Sequence, residues 1–211
     1  MRQLREAVLT GKAQEAQERV RELLAGGTDP ETILKQGLIS AMDEVGDLFQ
    51  KGEYYVPEML VAARAMQRGL EVLRPVLVQG GVEPEGTVVI GTVSGDLHDI
   101  GKNLVTMALE GAGLRVVDLG TDVSPAQFVE AIREHRPEVV GMSALLTTTM
   151  LSMRTTLEEI DRAGLRGLVK VMIGGAPVNQ AFTDEIGADF YGEDSTGARN
   201  FARQAIQASR Q

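Results

Sequence analysis

Residues 1 to about 80 carry apolar positions at helical spacing. From Glu31 these positions are Leu34, Leu38, Ala41, Val45 and Leu48, and from Pro57 they are Met59, Ala63, Met66, Leu70, Leu73 and Leu77. Steps of four and three residues place each set on one buried stripe. Asp29-Pro30 offers an N-cap and a first-turn proline; Gly52 ends that helix and Pro57 opens the next. Leu4–Leu9 and Ala13–Leu24 read as two shorter helices broken near Thr10-Gly11. Their charged runs, such as 17–22, are solvated faces. Four helices with short connections predict an all-α bundle over 1–80.

From Gly86 the period changes. Thr87–Val93, Arg115–Leu119, Glu138–Leu145, Val169–Ile173 and Ala188–Tyr191 are short apolar runs, and helical stretches near 101–113, 125–135, 149–163, 179–186 and 196–208 alternate with them. Such alternation predicts a five-stranded parallel sheet covered by helices on both faces over 86–211. Five units of this kind resemble a flavodoxin-like (Rossmann-like) doubly wound α/β domain, in which ligands sit at the carboxyl ends of the strands. The stretch 79–86, with three glycines and a proline, is the linker and natural hinge.

Composition narrows the function. The chain has no cysteine, which excludes disulfides and thiolate metal sites and makes a cytoplasmic location the default. The opening Met1-Arg2-Gln3-Leu4 lacks the apolar core of a signal peptide, and no apolar run approaches a membrane span. A net charge of -9 repels phosphate backbones, and aromatic residues at 4% leave little for base stacking, so nucleic-acid binding is not expected.

The first strand runs into Ser94-Gly95-Asp96-Leu97-His98-Asp99-Ile100-Gly101-Lys102-Asn103. His98 stands at a strand end between two aspartates, ahead of a glycine at a helix start. A carboxylate beside an imidazole fixes its tautomer and is the usual support of a metal-bound histidine. Ser143-Ala144-Leu145 closes the third strand and Gly174-Gly175 the fourth. Small residues there let another group approach the backbone. His135, at a probable helix end, reads as an exposed residue favoured by the helix dipole. Gly120-Thr121-Asp122 reads as a cap for the next helix.

In order, Asp-x-His-x-x-Gly, 41 residues, Ser-x-Leu, 28 residues and Gly-Gly resemble the cobalamin-binding signature of methionine synthase and of the corrinoid proteins of methyltransferase systems. The resemblance extends to the helical half, where 45–49 and 55–58 look like the family's cap over the upper face of the corrin.

The resemblance implies a cobalamin or related corrinoid whose own lower base is displaced from cobalt. His98 becomes the axial metal ligand, Asp96 bonds its other ring nitrogen, and Thr149 completes the relay where methionine synthase has serine. Gly95, Leu97, Asp99, Ile100 and Gly101 belong to the same binding loop. Ser143 and Thr147 match positions that bond the base of the nucleotide tail, Leu145 lines its slot, and Gly174 and Gly175 leave room for it. Phe49 and Val56 match the cap residues that shield the upper face. The implied function is a carrier that cycles between Co(I) and methyl-Co(III), with methylcob(III)alamin as the loaded state. Separate methyl-donor and methyl-acceptor methyltransferases are its partners, with a reductive activator, and cap and cofactor module leave no segment for a catalytic domain. Three rival classes are weighed against it. A cobalamin-dependent regulator would add a DNA-binding segment. The small subunit of an adenosylcobalamin mutase would lack the cap. A flavin protein would leave His98 unexplained.

Overall fold

The computed structural model describes residues 1–80 and 84–210. The expected linker over 79–86 therefore lies partly outside the described residues, at 81–83. The chain divides into two compact units, one built from Met1–Pro84 with Glu110–Gly113, the other from Glu85–Leu109 with Leu114–Gln211.

The first unit is helical: α1 (Arg2–Leu9), α2 (Ala13–Ala25), α3 (Pro30–Thr32), a π-helical stretch (Ile33–Ile39), α4 (Ser40–Gln50) and α5 (Val56–Gln79). The segments over 30–50 run on without a break, so the unit has four rods, as the periodicity predicts. Asp29 caps the third rod by accepting the Thr32 N–H at 2.8 Å. Gly52, at φ +71, follows its last turn. The π stretch is the departure. Its i→i+5 bonding, as in Ser40 N–H to Lys35 O, brings residues five apart to one side. The buried stripe therefore runs through Ile33, Leu38, Ala41, Met42 and Val45, while Leu34 and Leu48 are only half-buried. Gly37 belongs to this turn because a Cβ there would meet Leu4 Cδ2 at 2.7 Å. In α5, Met59, Ala63, Met66, Leu73 and Leu77 are buried as their spacing predicts, and Leu70 is half-buried.

The second unit alternates β1 (Thr87–Thr92), α6 (Ile100–Gly111), β2 (Arg115–Asp118), α7 (Pro125–His135), β3 (Val139–Ser143), α8 (Met150–Arg162), β4 (Lys170–Gly174), α9 (Gln180–Ile186), β5 (Phe190–Gly192) and α10 (Ser195–Ser209). All strand pairs are parallel, in the order β2-β1-β3-β4-β5. On one face Val89, Val140 and Val171 pack with Phe128 and Ile132 of α7 and Met153, Leu157 and Ile160 of α8. The alternate residues Val88, Ile90, Val139 and Met172 are buried too, so both faces are covered. Capping is local and explicit. Ser124 and Gln127 form a capping box for α7, Asn179 caps α9, and Asp194 caps α10.

The chain order reverses between β1 and β3, so the connections that leave their paired carboxyl ends run to opposite sides and leave a crevice. The end of β4 is bound tightly beside it. A Cβ at Gly175, at φ +127, would lie 1.8 Å from the Ala144 carbonyl oxygen, and one at Gly174 would lie 2.9 Å from that of Gly192. Both glycines are thus required by neighbouring backbone within the sheet. Gly175→Ala is expected to destabilise the unit by about 3 kcal/mol or more, combining a forbidden backbone conformation with a clash. Gly167→Ala, which meets nothing within 4 Å, should change stability by less than about 0.5 kcal/mol. Urea unfolding of the two variants checks the contrast.

Candidate functional site

The segment after β1 turns back on itself before α6 begins. Gly95 permits the turn with φ +83. Asp96 N–H donates to Val93 O at 3.1 Å, Val93 N–H to Ser143 O at 3.0 Å, and the Thr92 hydroxyl to His98 O at 3.0 Å. The Ser152 hydroxyl of α8 donates to Ser94 O at 3.0 Å.

These bonds set Asp96 in the crevice with no exposed surface. Its carboxylate accepts four hydrogen bonds. Oδ1 takes His98 N–H at 3.0 Å and His98 Nδ1 at 2.7 Å, and Oδ2 takes Leu145 N–H at 2.8 Å and the Thr149 hydroxyl at 2.7 Å. Burial pushes the Asp96 carboxyl up. The bonds from Thr149, Leu145 and both His98 groups outweigh burial and hold it well below the usual carboxylate range. An ionised carboxylate only accepts, so His98 Nδ1 must carry a proton.

That leaves Nε2 of His98 as the outward nitrogen. It makes no hydrogen bond among the described residues, and the side chain is 52% exposed. Leu97 and Ile100, on either side of it, are 74% and 78% exposed, and Leu145 is 43% exposed. Large apolar side chains so uncovered around one imidazole suit an apolar ligand laid over them. The arrangement fits a largely apolar cofactor that carries a metal with room for one imidazole nitrogen.

Thr149 shows how the fold serves this site. It stands at the N-cap of α8, yet its side chain caps nothing. Its single hydroxyl proton has two acceptors in reach, Asp96 Oδ2 at 2.7 Å and Leu146 O at 2.9 Å, and the charged one binds it better. The expected partnership of Asp96, His98 and Thr149 is thus present as hydrogen-bond geometry.

The remaining predicted residues fall into three groups. Asp99 and Gly101 sit at the start of α6, where Asn103 N–H donates to Asp99 O at 2.8 Å. Ser143 and Thr147 lie at and beyond the end of β3; among the described residues neither side chain makes a hydrogen bond. Phe49 and Val56 belong to the helical unit, at the end of α4 and the start of α5. Val56 is 37% exposed and Tyr55 beside it more so, so Val56 is not bundle core; Phe49 is half-buried.

Several residues escaped the sequence reading. Asp122 does not cap α7, a task Ser124 performs; its carboxylate accepts the Gly95 N–H at 2.7 Å. Lys102, to which the sequence reading assigns no role, is buried and pairs with Asp118 at the end of β2, with Asn103 Oδ1 at 3.0 Å. A lysine in the first turn of a helix that starts at a strand end was the available signal. His135 is more covered than expected, with its side chain 21% exposed.

Asp96→Asn places an amide NH2 against donors on one side of the carboxylate and should destabilise the ligand-free chain by about 1–3 kcal/mol. The Asp96 carboxyl is lowered from 3.8 in the folded chain. Its contribution is therefore fully present above the unfolded value and lost as pH falls below it. Wild-type stability should drop from about pH 4 downward, and Asp96→Asn should remove this component. Denaturant titrations at several pH values check both statements.

Known proteins share this architecture. Two family models match, each described as a B12 binding domain, one over residues 86–200 and the other over residues 1–74. Trimethylamine corrinoid protein 2 of Methanosarcina acetivorans is 46% identical over 92% of this chain and 90% of its own length. Dimethylamine corrinoid protein 1 of the same organism is 43% identical over 88% and 87%. Among solved structures, the methanol:cobalamin methyltransferase complex MtaBC of Methanosarcina barkeri matches with a TM-score of 0.88 at 30% identity, over 97% of this chain and 78% of that one. A cobalamin-binding protein of Desulfitobacterium hafniense matches with a TM-score of 0.79 at 31% identity, over 96% of both chains. With an imidazole nitrogen offered at the switch point of a doubly wound sheet and relatives this similar over nearly the full length, the chain belongs to the B12-binding corrinoid protein family.

Proposed function

We propose that this chain binds a corrinoid and carries a methyl group on it between two separate methyltransferases. One partner takes the methyl group from a small substrate, and the other delivers it to an acceptor. The single observation that carries this reading is the bare Nε2 of His98, aimed outward by the buried Asp96 carboxylate among exposed apolar side chains. When bound, the corrinoid supplies a cobalt centre that accepts and donates the methyl group, chemistry no side chain provides.

In this reading His98 would offer Nε2 to the cobalt. Asp96 fixes the ring orientation and the tautomer through Nδ1–H, and Thr149 and the Leu145 N–H keep Asp96 in place. Leu97, Ile100 and Leu145 receive the underside of the macrocycle, helped by the loop residues Gly95, Asp99 and Gly101. Ser143 and Thr147, whose hydroxyls have no partner among the described residues, are assigned to the base of the nucleotide tail. Gly174 and Gly175 are assigned to the edge of its slot, in addition to their packing against the Ala144 and Gly192 carbonyls. Phe49 and Val56 are assigned to shielding the upper face.

The names of the relatives favour a methylated amine as the donor. Trimethylamine and dimethylamine corrinoid proteins reach 39–46% identity, against 30% for the methanol complex. A reductive activator completes the proposed partners, because a carrier of a redox-active metal has to be restored after oxidation. A cytoplasmic location goes with a chain that contains no cysteine.

Loaded with cobalamin and reduced to the Co(II) state, the wild type should show an imidazole nitrogen splitting in its EPR spectrum. His98→Ala should lose it, and an unchanged splitting would overturn the ligand assignment. Asp96→Ala should weaken corrinoid retention by roughly 10- to 100-fold, the usual effect of removing the support of a metal ligand. Methyl transfer from trimethylamine, dimethylamine or methanol, each with its own methyltransferase, should be fastest with an amine.

A further inference from the structure

The loop that carries His98 is gripped from two sides. The β3 side acts on the Asp96 carboxylate through Leu145 and Thr149. The β2 side acts on the loop backbone through Asp122. Its Oδ1 accepts the Gly95 N–H at 2.7 Å, and its own N–H donates to Asp96 O at 2.9 Å. One residue thus brackets the Gly95-Asp96 dipeptide at both ends.

We propose that Asp122 is a positioning residue for the metal ligand, holding the Gly95-Asp96 dipeptide so that His98 presents Nε2 in one place; this rests on the reading of His98 as the axial ligand.

Three observations support it. Asp122 has φ +54, a left-handed conformation uncommon for a residue with a side chain, and aspartate tolerates it better than most. The residue it grips, Gly95, is also left-handed at φ +83, and glycine has little conformational preference of its own. The dipeptide needs an outside hold, and Asp122 supplies it. The grip is also anchored. Val123 N–H donates to Thr92 O and Thr92 N–H to Gly120 O, both at 2.9 Å, and Val93 bridges to Val123. The Gly120 N–H donates to Asp118, which pairs with buried Lys102. The Asp96 backbone is thereby fixed from the β2 side, while its carboxylate, which orients His98, is fixed from the β3 side. A shift of the Asp96 backbone would be passed to the imidazole through the 2.7 Å bond to Nδ1.

Two variants isolate the side chain. Asp122→Gly keeps the left-handed backbone without strain and retains the N–H to Asp96 O; it deletes only the carboxylate. Asp122→Asn keeps an acceptor oxygen and a residue type that tolerates the conformation. Each is loaded with excess cobalamin, reduced to Co(II), and the ratio of histidine-bound to histidine-free cobalt is read from the EPR nitrogen splitting. Asp122→Gly should lower that ratio roughly fivefold, the effect of one typical hydrogen bond, and Asp122→Asn should restore most of it. In the ligand-free chain, solvent exchange of the His98 Nδ1 proton, followed by NMR, should quicken by a similar factor in Asp122→Gly alone. This second reading stands whether or not a variant retains corrinoid. A wild-type ratio and exchange rate in Asp122→Gly would overturn the proposal, even if corrinoid binding were weaker. Absence of imidazole splitting in the wild type itself would overturn the ligand assignment and the positioning role with it.

Discussion

A carboxylate with no exposed surface and four donors around it is the interaction on which the site depends. Removing an ionised Asp from water is costly, and among the described residues no lysine or arginine pairs with it to offset that cost. Two backbone N–H groups, a threonine hydroxyl and an imidazole do so instead. Each donor is fixed by being needed. The carboxylate's acceptor-only character dictates the histidine tautomer, and the tautomer dictates which nitrogen faces outward. A single buried charge thereby fixes which imidazole nitrogen the loop turns outward.

The sheet order makes this possible. Residues 96, 98, 145 and 149 are brought together because β1 and β3 are neighbours at the point where the chain order reverses. The loops after both strands open into the same crevice. The helix α8 forgoes its side-chain cap so that Thr149 can serve Asp96. Three other helices of this unit keep local rules, with Ser124, Asn179 and Asp194 each capping its helix. The departure from ordinary side-chain capping at α8 fits the general pattern that local preference yields at sites built for another task.

Gly174 and Gly175 illustrate a different relation between sequence and role. Glycines at a strand end suggest space for a ligand. At the positions where their side chains would stand, the space is already filled by the carbonyl groups of Ala144 and Gly192. Close packing of neighbouring backbone is their first requirement, and any contribution to a nucleotide slot comes in addition to it.

Much was legible beforehand because it is local. Period-two and period-3.6 patterns, proline and glycine stops, and cap residues depend on near neighbours, so the helices and strands fall within a few residues of their predicted bounds. The order of Asp96, His98, Ser143, Leu145 and the glycine pair was legible too, since each stands at a strand end. Apart from the Asp96–Thr149 partnership, which the resemblance implied, the chain alone did not disclose contacts between distant segments. The π stretch moved burial from Leu34 to Ile33, and no propensity of those residues announces an i→i+5 turn. The grip of Asp122 on Gly95, the reach of Ser152 to Ser94 and the buried Lys102–Asp118 pair link different loops and helices. Such bonds exist only once the sheet has set its neighbours side by side. Residue type and spacing therefore determined the elements and the candidate donor, while tertiary packing decided which further groups hold it in place.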